Sequence, residues 1–273
     1  MKNWETILKK IILTCKKQDR VNSNDAVYFH GWLMSQISPE FADELHQTGT
    51  NPLSVSLTVQ DEKPVFTVHL LNQWAIEEIE PLLLNSNFVE LDLTSSKQKT
   101  FEIIDKRTED LEEKGLATIF YKQDAARLQE LQVVTPLAFK SQGEYYNLPD
   151  VRFFFQSIMQ KYNSIFEQTQ HIDIDMLDEI CSKVRLVNYS VHSRRYYIHK
   201  AYINGFCGRL VFYCKGTQTL ANYVAMLLRF AEYSGVGVKT SLGMGAIKLK
   251  EEGNNDWSRN GRCLLRVTTT RFR

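Results

Sequence analysis

The chain has 273 residues, a hydrophobic fraction of 43% and a formal net charge of +1 at pH 7. This length suits one large domain or two smaller ones, and the composition is that of a soluble globular protein. Because the net charge is close to zero, a global basic field that recruits nucleic acid is excluded, and any anion-binding site must be local.

The cysteines and the N-terminal segment indicate the cellular compartment in which the protein is expected. Five cysteines form neither a CxxC pair nor a metal-ligand spacing with histidine: Cys15, Cys181, Cys207, Cys214 and Cys263. An odd count without a secretory signal indicates free thiols in a reducing compartment. The first twenty residues are too charged for a signal peptide, and no stretch reaches the roughly 18 apolar residues of a membrane span. We expect a cytoplasmic protein without membrane contact.

The first part of the chain predicts the order β-α-β-β-α-β. Residues 6–17 have strand character, and residues 23–37 predict a helix. One face of this helix carries an apolar stripe at helical spacing, which His30 shares with Ala26, Leu33 and Ile37. A second short helix is expected from Ser38, an N-cap residue followed by proline. A hairpin around "QDEK", a helix interrupted near Pro81 and strand character over 88–105 follow.

The second part repeats this order after a stretch without a clear pattern. We expect a connection at "KRTEDLEEKG" (106–115), then a strand in which Pro136 indicates an edge or a bulge. An amphipathic helix is predicted within 150–168. Two long strands are expected to meet at the hairpin dipeptide Asn204-Gly205, before a helix over 219–233 and a last strand over 244–250.

The doubled order predicts an α+β fold made of tandem ferredoxin-like (RRM-like) βαββαβ domains. We place the N-terminal domain at 1–115 and the C-terminal domain at 116–250. The basic tail, 251–273, has no clear period and is expected to be disordered or loosely docked.

A glycine-rich loop, residues 235–245, lies between the last helix and the last strand. Nucleotide-binding loops instead lie between a strand and the following helix, so this order opposes a nucleotide site. The loop is either a turn that needs glycine for its backbone geometry or a nest of amides for an extended phosphodiester. The second interpretation assigns RNA contacts to Gly235, Gly237, Lys239, Thr240, Ser241, Gly243 and Gly245.

Several stretches resemble the CRISPR-associated endoribonucleases that process CRISPR precursor RNA. The stretch "FAEYSGVGVKTSLGMGAIKL" resembles the family's glycine-rich signature, and "YFHGWLM" followed by "FADELH" resembles its helical N-terminal segment. The similarity is closest to members that accompany type III-A effector complexes. It implies tandem ferredoxin-like domains, CRISPR repeat RNA as partner, transient association with a type III effector complex, and a monomer or homodimer.

The resemblance also implies catalytic residues. The family's histidine at the end of the second short helix matches His46, which would act as general acid or base. The position of a tyrosine in some members is Met34 here, and "HQTGTNPL" has no lysine. His46 would therefore work with fewer helpers, with His30, or with a lysine from elsewhere. His30 is alternatively a buried structural histidine, and His69 and His171 are interpreted as structural.

The implied chemistry needs neither metal nor cofactor, because the 2′-OH of RNA is the nucleophile and the products are a 2′,3′-cyclic phosphate and a 5′-hydroxyl. The acidic stretch "DIDMLDE" is better explained as the first turn of a helix than as a metal site. Basic residues in "VHSRRYYIHK" alternate with aromatic ones and either contact RNA or form a solvated strand: Arg194, Arg195 and Lys200. The alternative functions are an RNA-binding module without catalysis and a nucleotide-binding enzyme.

Overall fold

The computed structural model describes residues 6–47, 51–94, 99–122, 124–199 and 201–250. The strands in these ranges are β1 (Ile7–Cys15), β2 (Leu53–Gln60), β3 (Lys63–Leu70), β4 (Glu90–Asp92), β5 (Thr100–Glu112), β6 (Leu128–Leu137), β7 (Phe139–Ser141), β8 (Glu144–Tyr146), β9 (Val184–Ile198), β10 (Ala201–Cys214) and β11 (Ile247–Leu249). The helices are α1 (Asp25–Met34), α2 (Pro39–Gln47), α3 (Gln73–Leu84), α4 (Glu113–Lys122), α5 (Val151–Tyr162), α6 (Ile174–Lys183) and α7 (Gln218–Ser234).

The first sheet has the strand order β2-β3-β1-β5-β4, and all its pairs are antiparallel. Its central strand, β1, places Ile11 opposite Val68 of β3 and Thr108 of β5. Alternate residues of β1 are buried against the helices, as the period of a half-buried strand requires. Strand β4 is a short additional strand at the edge beside β5, and the order of the other four strands, β2-β3-β1-β5, is that of a ferredoxin-like sheet.

The second sheet has the corresponding order β11-β6-β10-β9, again antiparallel. Strand β9 forms one edge. Pro136 lies at a bulge, because the register moves from Leu137 opposite Phe206 to Val133 opposite Gly208. The same four-strand order in both sheets confirms the tandem ferredoxin-like fold, while the division at residue 115 stays a prediction.

Two helix starts form as the sequence predicts. The Ser38 Oγ accepts a hydrogen bond from the Phe41 amide at 3.3 Å, which caps α2. The Asp173 carboxylate accepts one from the Met176 amide at 2.9 Å, so the acidic stretch begins α6.

Helix α3 continues through Pro81 and is not interrupted there. Among the described residues, no helix is both long enough and apolar enough to span a bilayer.

The expected connection over 106–115 is wrong. Strand β5 continues to Glu112, and α4 begins at the next residue. The charged residues that suggested a connection instead pair with lysines of β1: Lys10 Nζ lies 2.8 Å from Glu109, and Lys9 Nζ lies 3.5 Å from Asp110. Cross-strand ion pairs therefore explain the high charge of this strand.

The expected hairpin at Asn204-Gly205 is also wrong. Both residues lie inside β10, opposite Arg195 and Arg194, and the turn falls between Ile198 and Ala201. Gly205 is buried, and a Cβ there would lie 3.0 Å from the backbone of Leu137. Glycine at this position therefore allows β10 to approach β6 and does not form a turn.

Candidate functional site

The glycine-rich loop joins α7 to β11 and has an unusual backbone. Gly235, Gly237, Gly243 and Gly245 have φ values of 64°, 77°, 103° and 71°. Lys239 also lies in the left-handed region, with φ of 57°, and precedes a 3-10 turn at Thr240–Leu242. Side chains rarely adopt these backbone conformations, so the glycines are required by the path of the chain.

Close packing imposes a second requirement at these positions. A Cβ on Gly243 would overlap the Tyr196 hydroxyl and lie 2.7 Å from the Cβ of Ala26. A Cβ on Gly237 would overlap the carbonyl oxygen of Ala138. The loop is therefore held against α1 on one side and against the end of β6 on the other.

The glycine amides all donate within the protein. The amide of Gly235 donates to Ala231 O at 2.9 Å, and that of Gly245 donates to Pro136 O at 3.0 Å. The amide of Gly237 donates to Ser157 Oγ at 2.8 Å, and that of Gly243 donates to Thr240 O at 3.3 Å. The expected nest of glycine amides facing a phosphate is therefore wrong: the glycines shape the loop, and Lys239, which is exposed, extends from it.

Lys161 supports this loop from α5 and was not found from the sequence. Its Nζ lies 3.0 Å from Gly235 O and 3.3 Å from both Ser234 O and Thr240 Oγ1. Its amine donates to carbonyl oxygens at the end of α7, where the helix leaves such groups without partners of its own. Burial lowers the pKa of Lys161 from 10.5 to about 7. Ser157 and Lys161 lie four residues apart on one face of α5 and both contact the loop, so this spacing is the sequence signal that could have revealed Lys161.

Tyr196 contacts a later part of the loop. Its ring is fully buried, and its Oη lies 2.6 Å from Leu242 O and 3.2 Å from Ser23 O. Burial, together with the nearby Asp25 carboxylate, raises the pKa of Tyr196 above its usual range. Tyr196 therefore cannot stack on an RNA base, although it lies in the stretch where basic and aromatic residues alternate.

Several side chains at the end of β9 and on the facing part of β10 are accessible. Tyr197 is 51% exposed and Tyr202, its cross-strand partner, is 50% exposed. The Arg195 guanidinium lies 4.9 Å from the centre of the Tyr202 ring, a cation–π arrangement. Arg194 is half-buried and donates from Nε to His192 Nε2 at 3.3 Å. Lys200 lies outside the described residues.

The two candidate catalytic histidines lie on consecutive helices. His30 is half-buried on α1, one helical turn or about 6 Å along the axis from Ala26, which approaches Gly243. His46 lies in the last turn of α2, and its side chain is outside the described part of the chain. The 3-10 turn of the glycine-rich loop contacts both α1 and β2, the elements on either side of α2. The fold thus brings the loop to the segment that carries both histidines.

His69 is a structural residue, as expected. Its Nδ1 lies 3.0 Å from Ser54 Oγ, and that hydroxyl donates to Tyr233 O at 2.6 Å. Because the hydroxyl proton is used in this way, Nδ1 carries a proton and donates to Ser54. Burial, with a smaller effect from Lys10, lowers the pKa of His69 to about 3. His171 is exposed, and its carbonyl oxygen accepts from Asn163 Nδ2 at 2.7 Å.

Within the described ranges, no three histidine, cysteine, aspartate or glutamate side chains are grouped so that they could hold a metal ion. Among the described cysteines, Cys15, Cys181 and Cys214 are free thiols.

Known proteins resemble this chain over most of its length. Residues 131–247 match the family model for the CRISPR-associated endoribonuclease Cas6. A Cas6 endoribonuclease from Streptococcus thermophilus is 38% identical over 245 residues, which is 89% of this chain and 99% of that protein. One from Mycobacterium tuberculosis (strain CDC 1551 / Oshkosh) is 33% identical over 224 residues, or 82% of this chain and 71% of that protein. A solved Cas6 product complex has a TM-score of 0.73 at 19% identity, covering 90% of this chain and all of that chain, and supports the fold alone.

Proposed function

The chain belongs to the family of CRISPR-associated Cas6 endoribonucleases, and from this premise we propose that it cleaves CRISPR precursor RNA within the repeats to give guide RNAs. Its 38% identity over 89% of the chain to an enzyme of that name supports the proposal. The observation on which the site rests is the contact of the glycine-rich loop with both α1 and β2, on either side of the helix that carries His46.

The proposed reaction is an internal transesterification. The 2′-oxygen attacks the adjacent phosphorus while its proton passes to a base, and the bond from phosphorus to the 5′-oxygen breaks. A general acid protonates the leaving 5′-oxygen, so the products are a 2′,3′-cyclic phosphate and a 5′-hydroxyl. The nucleophile belongs to the RNA itself, and the reaction therefore needs no metal-bound hydroxide.

His46 is the proposed principal catalyst. The end of a helix favours a positive charge, so an imidazolium in the last turn of α2 suits proton donation and stabilisation of charge on the phosphate. A well-placed acid or base contributes about 10²–10⁴-fold to the rate. His30 is the second candidate, because it lies one turn from the contact between α1 and Gly243.

RNA is proposed to lie along the loop and the end of β9. The exposed Lys239 would supply a charge to the backbone, with Ser241 as a further donor. Thr240 is buried beside Lys161 and so supports the loop rather than RNA. On β9, Arg194 and Arg195 would contact phosphates, and Lys200 of the adjoining turn is proposed with them.

The proposed cellular setting follows from the same family. The enzyme would act in the cytoplasm, as a monomer or homodimer, and would associate transiently with a type III effector complex. Within the family, we propose that the protein is most similar to the members that accompany type III-A effector complexes.

A second candidate function is an RNA-binding module that holds the repeat without cutting it. The observation that favours it is Met34, half-buried at the end of α1 where some relatives are expected to have a tyrosine. Purified protein with EDTA and a repeat RNA separates the two functions. Cleavage supports the proposed enzyme, and blockage by a single 2′-deoxy substitution at the cleaved position supports the mechanism. A mobility shift with intact RNA would support the binding module, and rapid cutting of the deoxy substrate would refute 2′-OH attack.

A further inference from the structure

Tyr196 joins three parts of the molecule that are distant in sequence. It belongs to β9, its hydroxyl donates to Leu242 O in the glycine-rich loop at 2.6 Å, and the same oxygen lies 3.2 Å from Ser23 O just before α1. The closeness is not incidental, because any side chain on Gly243 would overlap this hydroxyl. One phenol group therefore sets the separation between the strand, the loop and the helix.

The next residue of β9 reinforces this junction. Asn24 donates from Nδ2 to the carbonyl oxygen of Tyr197 at 2.7 Å, so two consecutive residues of β9 are bound to the start of α1. Arg194 and Arg195 immediately precede them on the same strand. A displacement of the end of β9 would thus move the candidate RNA-binding arginines relative to α1.

The hydroxyl of Tyr196 is a constant donor. Its ring is fully buried, which removes it from RNA, and burial raises the pKa of the phenol, which favours the protonated form that donates. A buried hydroxyl with one short bond to a loop carbonyl has a fixed orientation, and it therefore restricts the loop to one position.

We propose that Tyr196 is a positioning residue for RNA cleavage: its hydroxyl sets the glycine-rich loop and β9 in one register against α1, and so against the helices that carry His30 and His46. The inference rests on the proposed function, since it takes the loop and β9 to hold the RNA. Catalysis by proton transfer depends on placement of the reacting atoms, and a shift of about 1 Å can cost about 10²-fold in rate. The Tyr196 hydroxyl is buried and makes none of the proposed phosphate contacts, so its removal should lower the cleavage rate more than the RNA affinity.

The principal test is Tyr196→Phe, which keeps the ring and removes the hydroxyl. The matched control is Tyr213→Phe on β10 of the same sheet, half-buried and outside the junction. Single-turnover cleavage at saturating repeat RNA should fall at least about tenfold in Tyr196→Phe, with the dissociation constant of the RNA within about twofold of wild type. The control should retain the wild-type rate. An unchanged rate in Tyr196→Phe, or a rate loss that is matched by the loss of affinity, would overturn the inference.

A milder variant keeps the test decisive if Tyr196→Phe loses stability. Asn24→Ala removes the adjacent bond to Tyr197 O, and the Asn24 side chain makes no capping bond to α1 that would be lost with it. It should lower the single-turnover rate in the same direction, again with little change in affinity. A wild-type rate in a folded Asn24→Ala protein would contradict the inference.

Amide hydrogen exchange separates failure of this inference from failure of the proposed function. In Tyr196→Phe, the amides of Gly243 and Met244 and those at the start of α1 should exchange faster than in wild type, while those of β1 should not change. If wild-type protein does not cleave repeat RNA, the proposed function fails, yet faster exchange would still demonstrate the coupling. Unchanged exchange would overturn the coupling whether or not the protein is an enzyme.

Discussion

The Nζ of Lys161 lies 3.0 Å from the carbonyl oxygen of Gly235, so a lysine on α5 closes the end of α7 at the point where the glycine-rich loop begins. Two further oxygens, Ser234 O and Thr240 Oγ1, lie 3.3 Å from the same nitrogen. The loop is therefore held both by the Lys161 amine and by the Tyr196 hydroxyl.

The lowered pKa of Lys161 predicts a pH-dependent stability. Below about pH 7 the amine is protonated in both the folded and the unfolded chain, and the cost of burying its charge is fully present. Between about 7 and 10.5 the unfolded chain binds the proton while the folded chain releases it, so the free energy of unfolding rises with pH. The rise from this group is at most about 1.4 kcal/mol per pH unit.

Denaturant unfolding of wild type and Lys161→Met at several pH values above 7 measures this effect. The difference in unfolding free energy between the two proteins should grow with pH in favour of wild type. Lys248→Met, which removes an exposed lysine of β11, should show a constant difference. A constant difference for Lys161→Met as well would contradict the lowered pKa.

Gly243→Ala should destabilise the protein through both strain and overlap. The backbone φ of 103° disfavours any side chain, and the new Cβ would meet the Tyr196 hydroxyl and Ala26. Strain of a residue in such a backbone region costs about 1–3 kcal/mol. Gly143→Ala is a matched control, because φ there is 88° but the space around a Cβ is open. Thermal unfolding should show a larger loss for Gly243→Ala, with Gly243→Val worse still, and equal losses at Gly143 and Gly243 would show that the overlap has no effect.

The order of helices and strands could be predicted from the sequence because it depends on local periodicity. The sites could be predicted only in part, because the contacts that shape them are distant in sequence: Lys161 and Thr240 are 79 residues apart, and Tyr196 and Ser23 are 173 apart. The hairpin predicted at Asn204-Gly205 was wrong for the same reason. Glycine is required there because β6 approaches closely, and not because the chain turns.

Lys239→Ala should weaken RNA binding without altering the chemistry at saturating RNA, unless the phosphate that Lys239 holds is the scissile one. The side chain is exposed, and the loop shape does not depend on it beyond its left-handed backbone. Loss of one phosphate contact should reduce the slope of log affinity against log salt by about 0.7–0.9. Affinity measured over a range of salt concentrations for Lys239→Ala, with exposed Lys248→Ala as control, tests this. If Lys239→Ala leaves both affinity and slope at wild-type values, the loop does not bind the RNA backbone through this residue.

The assignment of His46 as catalyst is the central claim, and the single-turnover cleavage rate of His46→Ala with saturating repeat RNA and EDTA tests it most directly. Loss of the proton transfer should raise the barrier by roughly 3–5 kcal/mol, or about 10²–10⁴-fold in rate, while RNA affinity stays near that of wild type. His171→Ala, which changes an exposed histidine of the loop before α6, should cleave at the wild-type rate. A wild-type rate in His46→Ala would contradict the account and make His30 the leading candidate.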